Sequence, residues 1–235
     1  MGLMKLGGIL SLTAALVLTG CAQAPPPVSD KVTAAYEAGK TLAPTPQKQL
    51  AVFIGDSYTQ GKGASSPATD WVTLVATAKG WGYDNLGKGG TGYATVSDVN
   101  GCGLAVCPNY QDMADAAIAS KPQTVIVAGG QNDFTAFLTN PAKEKAAIRA
   151  TYAKLRAGLP DAQIVAVGPS TPWAVDSTVA EMDQAVQDAA ASVNAKYVSL
   201  IEPNVIAPDM VSGDKAHVSD AGHKAIAERM LAALR

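Results

Sequence analysis

Ser57, Asp214 and His217 are the side chains whose types and spacing suit nucleophilic chemistry. A serine hydroxyl is a weak nucleophile at neutral pH and needs a base, usually histidine, that is itself oriented by a carboxylate. Asp214 and His217 stand three apart at the end of a loop-like stretch, so the carboxylate can hold one ring nitrogen and leave the other for a serine. Ser57 lies where the apolar run Leu50-Ala51-Val52-Phe53-Ile54 stops at Gly55-Asp56-Ser57-Tyr58. A tetrahedral intermediate at that hydroxyl requires donors aimed at one point. The cluster Gly87-Lys88-Gly89-Gly90-Thr91-Gly92 offers accessible backbone N–H groups, and the Asn132 carboxamide donates without carrying charge. Taken alone, Gly-Asp-Ser also suits a plain turn. Asp56 reads as a loop-organising acceptor rather than the triad acid. His223, six residues after His217, reads as a helix-surface residue rather than a second base.

These groups need elements to deliver them. Val, Phe and Ile in unbroken succession suit a strand covered on both faces, and ligands of open α/β sheets bind outside the carboxyl ends of strands. Trp71, Leu74, Val75 and Ala78 fall at helical spacing and predict a helix over 70–81. A second strand is expected at 83–87, a loop at 97–108, and a helix at 110–120 that Pro122 ends. The third strand, 124–128, stops at Gly129-Gly130-Gln131-Asn132-Asp133. Helix 141–159, strand 163–167, helix 178–195 and strand 197–201 follow. Ser219 or Asp220 caps a last helix with Ile226, Met230, Leu231 and Leu234 as apolar positions. This alternation predicts a three-layer α/β/α fold around a five-stranded parallel sheet. Trp173, on the loop after the fourth strand, either lines the substrate pocket or fills the rim of the sheet.

The chain has 235 residues, 48% hydrophobic and 16% charged, enough for one domain with a sizeable core. Eighteen basic against twenty acidic residues, with no basic run, argue against a nucleic-acid partner. Gly87 to Gly92 satisfies G-x-G-x-x-G, but a dinucleotide site needs a helix opening at its end, where this chain reads as loop. Residues 1–20 carry Lys5 and an apolar core too short to span a bilayer, the architecture of a signal peptide. Leu18-Thr19-Gly20-Cys21 resembles the bacterial lipobox, which implies diacylglycerol on Cys21 and a membrane anchor outside the cytoplasm. An ordinary secretory signal with an incidental cysteine is the other reading. Residues 21–48 are Pro-rich and read as a tether that extends at roughly 3 Å per residue, with the catalytic domain at 49–235. In an exported chain, Cys102 and Cys107 are expected to form a local disulfide, and no histidine lies nearby to suggest zinc.

Four blocks, taken together and in order, resemble the SGNH or GDSL-type hydrolase family from about Leu50 to the C-terminus. They are Gly55-Asp56-Ser57-Tyr58, with Tyr where the family name has Leu; Asn85-Leu86-Gly87-Lys88-Gly89-Gly90; Gly130-Gln131-Asn132-Asp133; and Asp214-Lys215-Ala216-His217. The resemblance implies a flavodoxin-like strand order, with Ser57 as nucleophile, His217 as base and Asp214 as its orienter. It implies an oxyanion hole built from the N–H groups of Ser57 and Gly90, Gly89 being the alternative, and from the Asn132 side chain. The implied reaction is hydrolysis of carboxylic esters through an acyl-enzyme, without metal or organic cofactor. The same machinery serves an acyltransferase, and a catalytically silent surface lipoprotein that binds glycan or lipid is a rival. No long apolar insertion could act as a lid, and 97–108 reads as small and polar. Short acyl groups such as acetyl, on an envelope or extracellular glycan or a small ester, are therefore expected.

Overall fold

The computed structural model describes residues 48–235; the signal peptide, Cys21 and all of the tether up to residue 47 lie outside the described residues. Strand β1 (Leu50–Gly55) runs into a four-residue helix, α1 (Ser57–Gln60), and then helix α2 (Trp71–Lys79) and strand β2 (Gly82–Asn85). A short helix, α3 (Val99–Cys102), and helix α4 (Tyr110–Ser120) precede strand β3 (Thr124–Ala128). A 3-10 turn at Gln131–Asp133 leads to α5 (Phe134–Thr139), α6 (Pro141–Gly158) and strand β4 (Gln163–Val167). Helix α7 (Ser177–Ser192), strand β5 (Lys196–Val198), a 3-10 turn at Pro208–Met210 and α8 (Asp220–Ala233) complete the domain.

All five strands pair in parallel in the order β2-β1-β3-β4-β5, the flavodoxin-like arrangement. The period-two geometry of a strand explains the uninterrupted apolar runs. Val52 and Ile54 of β1 pack into one core with Tyr110, Ile148, Tyr152 and Met182 from α4, α6 and α7. Ala51 and Phe53 pack into the other with Trp71, Val75, Ile226 and Met230 from α2 and α8. Both faces of the sheet are covered, which gives the three layers. Helix ends follow local chemistry: Asp70 accepts the Thr73 N–H at the start of α2, and Gly80, at φ 67°, closes it. Asn109 and Asp112 make a reciprocal capping box on α4.

Several elements depart from the expected bounds. β2 ends at Asn85, although Leu86 and Lys88 still donate to Phe53 and Gly55, so the chain keeps beside β1. β5 stops at Val198 because the following residues turn back, with Ile201 bridging Asn204. The stretch at 97–108 contains α3 and turns Val99, Leu104 and Val106 to solvent, so it is less polar at its surface than its composition implied. Helices α1, α3 and α5 were not legible from periodicity, being four to six residues long. Cys102 and Cys107 form the expected disulfide. On the chain-entropy account, closing so short a loop contributes about 2 kcal/mol.

Candidate active site

Gly55-Asp56-Ser57-Tyr58 is not a plain turn, because Asp56 caps a helix. Its carboxylate accepts the Tyr58 N–H at 2.9 Å and Ser57 becomes the first residue of α1, at the carboxyl end of β1 and 8% exposed. Gly55 is required there: a Cβ would overlap the Thr59 side chain and crowd the Ala128 carbonyl. As a first-turn residue, Ser57 has a backbone N–H with no acceptor inside its own helix. Asp56 is fully buried, and burial pushes its carboxyl up to about 6, with the Asp133 charge adding to the shift. The Tyr58 N–H and the Tyr110 hydroxyl, at 3.3 Å, pull it back.

Asp214 and His217 meet in a tight loop. Asp214 Oδ1 accepts from the Ser212 hydroxyl at 2.6 Å, the His217 N–H at 2.9 Å and the Ala216 N–H at 3.0 Å. Its Oδ2 lies 2.6 Å from His217 Nδ1. These bonds, the Ser212 hydroxyl first and the His217 ring next, hold the Asp214 carboxyl well below the usual carboxylate range. An ionised carboxylate only accepts, so Nδ1 carries the hydrogen and Nε2 keeps the lone pair a general base uses. Lys215 sits in the left-handed region at φ 59°, which lets the loop close on itself.

Tyr58 is a residue whose contribution the sequence reading missed. Its hydroxyl donates to the Ala216 carbonyl at 3.0 Å, and its ring centroid lies 6.0 Å from that of His217. The neighbour of Ser57 thus fastens the loop that carries the histidine. A tyrosine in a motif position usually given to leucine was the available signal.

Asn132 projects from the 3-10 turn after β3, where Gly129 and Gly130 have φ of 131° and 109°. Its Nδ2 donates one hydrogen to the Thr91 carbonyl at 2.9 Å, which orients the amide and leaves the second N–H available. Buried Asp133 accepts from the backbone N–H groups of Tyr93, Thr95 and Ala94 at 2.7, 2.9 and 3.3 Å. A Cβ at Gly92 would overlap that carboxylate, so the glycine cluster and the turn after β3 are built against each other.

Ser57, Gly90, Asn132, Asp214 and His217 line one cavity of about 490 Å³, together with Gly89, Lys62, Gln131 and Trp173. Trp173 is 61% exposed, so it stands at the mouth of this cavity and does not fill the rim of the sheet. His223 corrects the surface expectation: it is fully buried. Its Nε2 donates to the Lys62 carbonyl at 3.0 Å, and its Nδ1 accepts the Trp71 N–H at 3.4 Å. It therefore anchors the loop between α1 and α2, which reaches the cavity through Lys62 and Gly63. Among the described residues, no group of three or more His, Cys, Asp or Glu side chains could hold a metal ion.

A family model described as the GDSL-like lipase/acylhydrolase family matches residues 53–225, from β1 into α8. The chain belongs to the GDSL-like lipase/acylhydrolase family. A GDSL lipase of Mycobacterium tuberculosis is 25% identical over 186 residues, covering 75% of this chain and 78% of the relative. Among solved structures, an acetylxylan esterase from Geobacillus stearothermophilus superposes with a TM-score of 0.57 at 20% identity, covering 80% of this chain and 94% of that one. A family two carbohydrate esterase from Clostridium thermocellum, in complex with cellohexaose, gives a TM-score of 0.63 at 19% identity, covering 81% and 64%. At such identities the solved structures share the fold of this GDSL-type chain. Family membership makes the protein an ester hydrolase.

Proposed function

We propose that this GDSL-type hydrolase is a serine esterase that removes short acyl groups, acetyl foremost, from a glycan or small ester outside the cytoplasm. The observation that carries the reading is the 2.6 Å pairing of Asp214 with His217 on the wall of the cavity that Ser57, Gly90 and Asn132 also line. In the first half-reaction His217 Nε2 takes the Ser57 proton as Oγ bonds to the ester carbonyl carbon. The carbonyl oxygen becomes an oxyanion held by the N–H groups of Ser57, Gly90 and Asn132. The C–O bond to the alcohol then breaks, and the alcohol leaves with the proton from His217. Water enters by the same route, its proton passing through His217 back to Ser57, and the acid departs. Asp214 keeps the ring in the correct tautomer and stabilises the imidazolium while it lasts.

Two features support a glycan as the acyl carrier. The exposed Trp173 ring at the cavity mouth offers a flat apolar face with a polar edge, suited to packing against a sugar ring. Lys62, Gln131 and Asn100 on the same cavity offer groups that can bond hydroxyls. Similar folds include an acetylxylan esterase and an esterase active on acetylated mannans.

Phosphonate treatment followed by intact-mass and peptide mapping tests the centre. Wild type should be labelled at Ser57, and Ser57→Ala should be neither labelled nor active. Labelling at another serine, or full esterase activity in folded Ser57→Ala, would overturn the assignment. Turnover should fall as the acyl chain lengthens, with free acid as the product; transfer of the acyl group to an added oligosaccharide would reassign the enzyme as an acyltransferase. The lipobox-like Leu18-Thr19-Gly20-Cys21 supports anchoring through lipid on Cys21. Cys21→Ala whose signal peptide has been removed normally should then appear in the soluble fraction, and membrane retention of that processed variant equal to wild type would refute the anchor.

A further inference from the structure

We infer that the disulfide-closed segment from Ser97 to Cys107 sets the position of the Gly90 N–H, and that Ser97 and Gly101 are positioning residues for the oxyanion hole. The inference rests on Gly90 being an oxyanion donor, as proposed above. Gly90 has φ 76° and nothing of its own side to lean on; what it faces is Ser97. A Cβ at Gly90 would stand 2.5 Å from Ser97 Oγ and 3.0 Å from Ser97 Cβ. One at Gly89 would stand 2.7 Å from the Gly101 carbonyl oxygen, and one at Gly101 would overlap both that of Gly89 and Ser97 Oγ. The two backbones therefore touch directly along the cavity wall, which Gly89, Gly90, Asn100 and Gly101 share.

The outer side of this contact is closed covalently. The Cys107 N–H donates to the Ser97 carbonyl at 2.8 Å and so joins the two ends of the segment, Asp98 caps α3 through the Asn100 N–H at 2.9 Å, and the Cys102–Cys107 bond ties the last residue of α3, next to Gly101, to the end of the segment. Few other side chains back the segment, since Val99, Leu104 and Val106 are exposed. An oxyanion donor works within about 2.7–3.1 Å of the developing charge, so a displacement of a few tenths of an ångström in Gly90 weakens the transition state more than the ground state. The disulfide and the glycine contact remove that freedom.

The test compares Gly101→Ala, Ser97→Val, the Cys102→Ser/Cys107→Ser double variant and wild type reduced with dithiothreitol. In that last sample the bond becomes two thiols and the reagent its cyclic disulfide. A Leu104→Ser variant, altered on the solvent side of the same segment, is the control. Rates are expressed per phosphonate-titrated Ser57, so unfolded molecules do not count. Gly101→Ala and Ser97→Val should lower kcat by about tenfold or more, short of the hundredfold cost typical of losing a donor outright. KM should stay within about twofold, and binding of a boronate that mimics the tetrahedral state should weaken in step with kcat. The reduced and double-serine forms should show a smaller loss of the same kind, and Leu104→Ser none. Unchanged kcat per labelled site in Gly101→Ala and Ser97→Val, or a loss confined to KM, overturns the inference. If Asn132→Ala is slow and Ser57 is labelled, the proposed centre stands even when these variants behave as wild type. If wild type is not labelled at Ser57, it is the centre itself that fails.

Discussion

The carboxylate of Asp133 accepts the backbone N–H of Tyr93 at 2.7 Å, across forty residues of chain. With the N–H groups of Thr95 and Ala94 it ties the loop after β2 to the turn after β3, the two segments that carry Gly90 and Asn132. Hydrogen bonds to a charged acceptor contribute more than neutral ones, and a buried N–H left without a partner is costly. Asp133→Asn, which turns a donor toward these donors, should destabilise the fold by about 3 kcal/mol and lower kcat about tenfold. Urea unfolding and steady-state kinetics check both numbers, and wild-type stability would refute the clamp.

Asp56 gives stability a distinctive pH dependence. Its carboxyl rises from an ordinary 3.8 to about 6 in the fold, chiefly through burial, so between these values the native state holds a proton that the unfolded chain has released. Its contribution is therefore fully present below pH 3.8 and is lost as pH rises through 6. Integrated over the shift, the change is about 3 kcal/mol. Relative to Asp56→Asn, wild type should lose most of that amount between pH 4 and pH 7 in urea unfolding. Parallel profiles for the two proteins would contradict the assignment.

His223 works in the opposite direction. Burial pushes its imidazole below the ordinary 6.5, so the unfolded chain takes up a proton first as the medium is acidified. The stability it contributes is present above pH 6.5 and is lost as pH falls below it. Because Nε2 faces the Lys62 carbonyl and Nδ1 faces the Trp71 N–H, the neutral ring carries its hydrogen on Nε2. Long-range ¹H–¹⁵N spectra should show that tautomer at neutral pH. His223→Phe should cost about 1–3 kcal/mol, the penalty for orphaned buried polar groups.

Asn132→Ala should keep the phosphonate label on Ser57 while lowering ester turnover by roughly a hundredfold or more, the usual cost of one oxyanion donor. Asp214→Asn should also impair turnover, through the tautomer and orientation of His217. Loss of the label in folded Asn132→Ala would assign the residue to substrate access instead.

Trp173→Ala should discriminate between substrates. On an acetylated oligosaccharide, KM should rise about three- to tenfold, the worth of an aromatic contact. On a small ester such as 4-nitrophenyl acetate, which cannot reach the cavity mouth, it should stay unchanged. Equal effects on both substrates would remove Trp173 from glycan recognition.

The fold was legible because its strands announce themselves. In 125–128 and 164–167, residues on both faces meet a helical layer, so the apolar run is unbroken, and helices such as α6 show the 3.6 period over many turns. The short helix that opens at Ser57 was not legible, since four residues hold no period, yet it is what raises Ser57 from a turn to a helix start. His223 was misread for a related reason. A helix-start histidine looks solvated until the segment ending at Asp70 folds over it, and Asp220 holds that segment by accepting from Ser65 and Thr69.

By itself, the sequence determined which residue types stand at the carboxyl ends of the strands and in what order, because strand and turn propensities act over a few neighbouring residues. It also determined the Asp214 and His217 pairing, whose partners are three residues apart. Only the tertiary structure decided that Tyr58 would hold Ala216 from 158 residues away, that Asp133 would bind the loop at Tyr93, and that Gly101 would abut Gly89. Such contacts leave no local period to read. They exist because a closely packed interior pairs most of its buried polar groups, and which partner does so depends on how the layers come together.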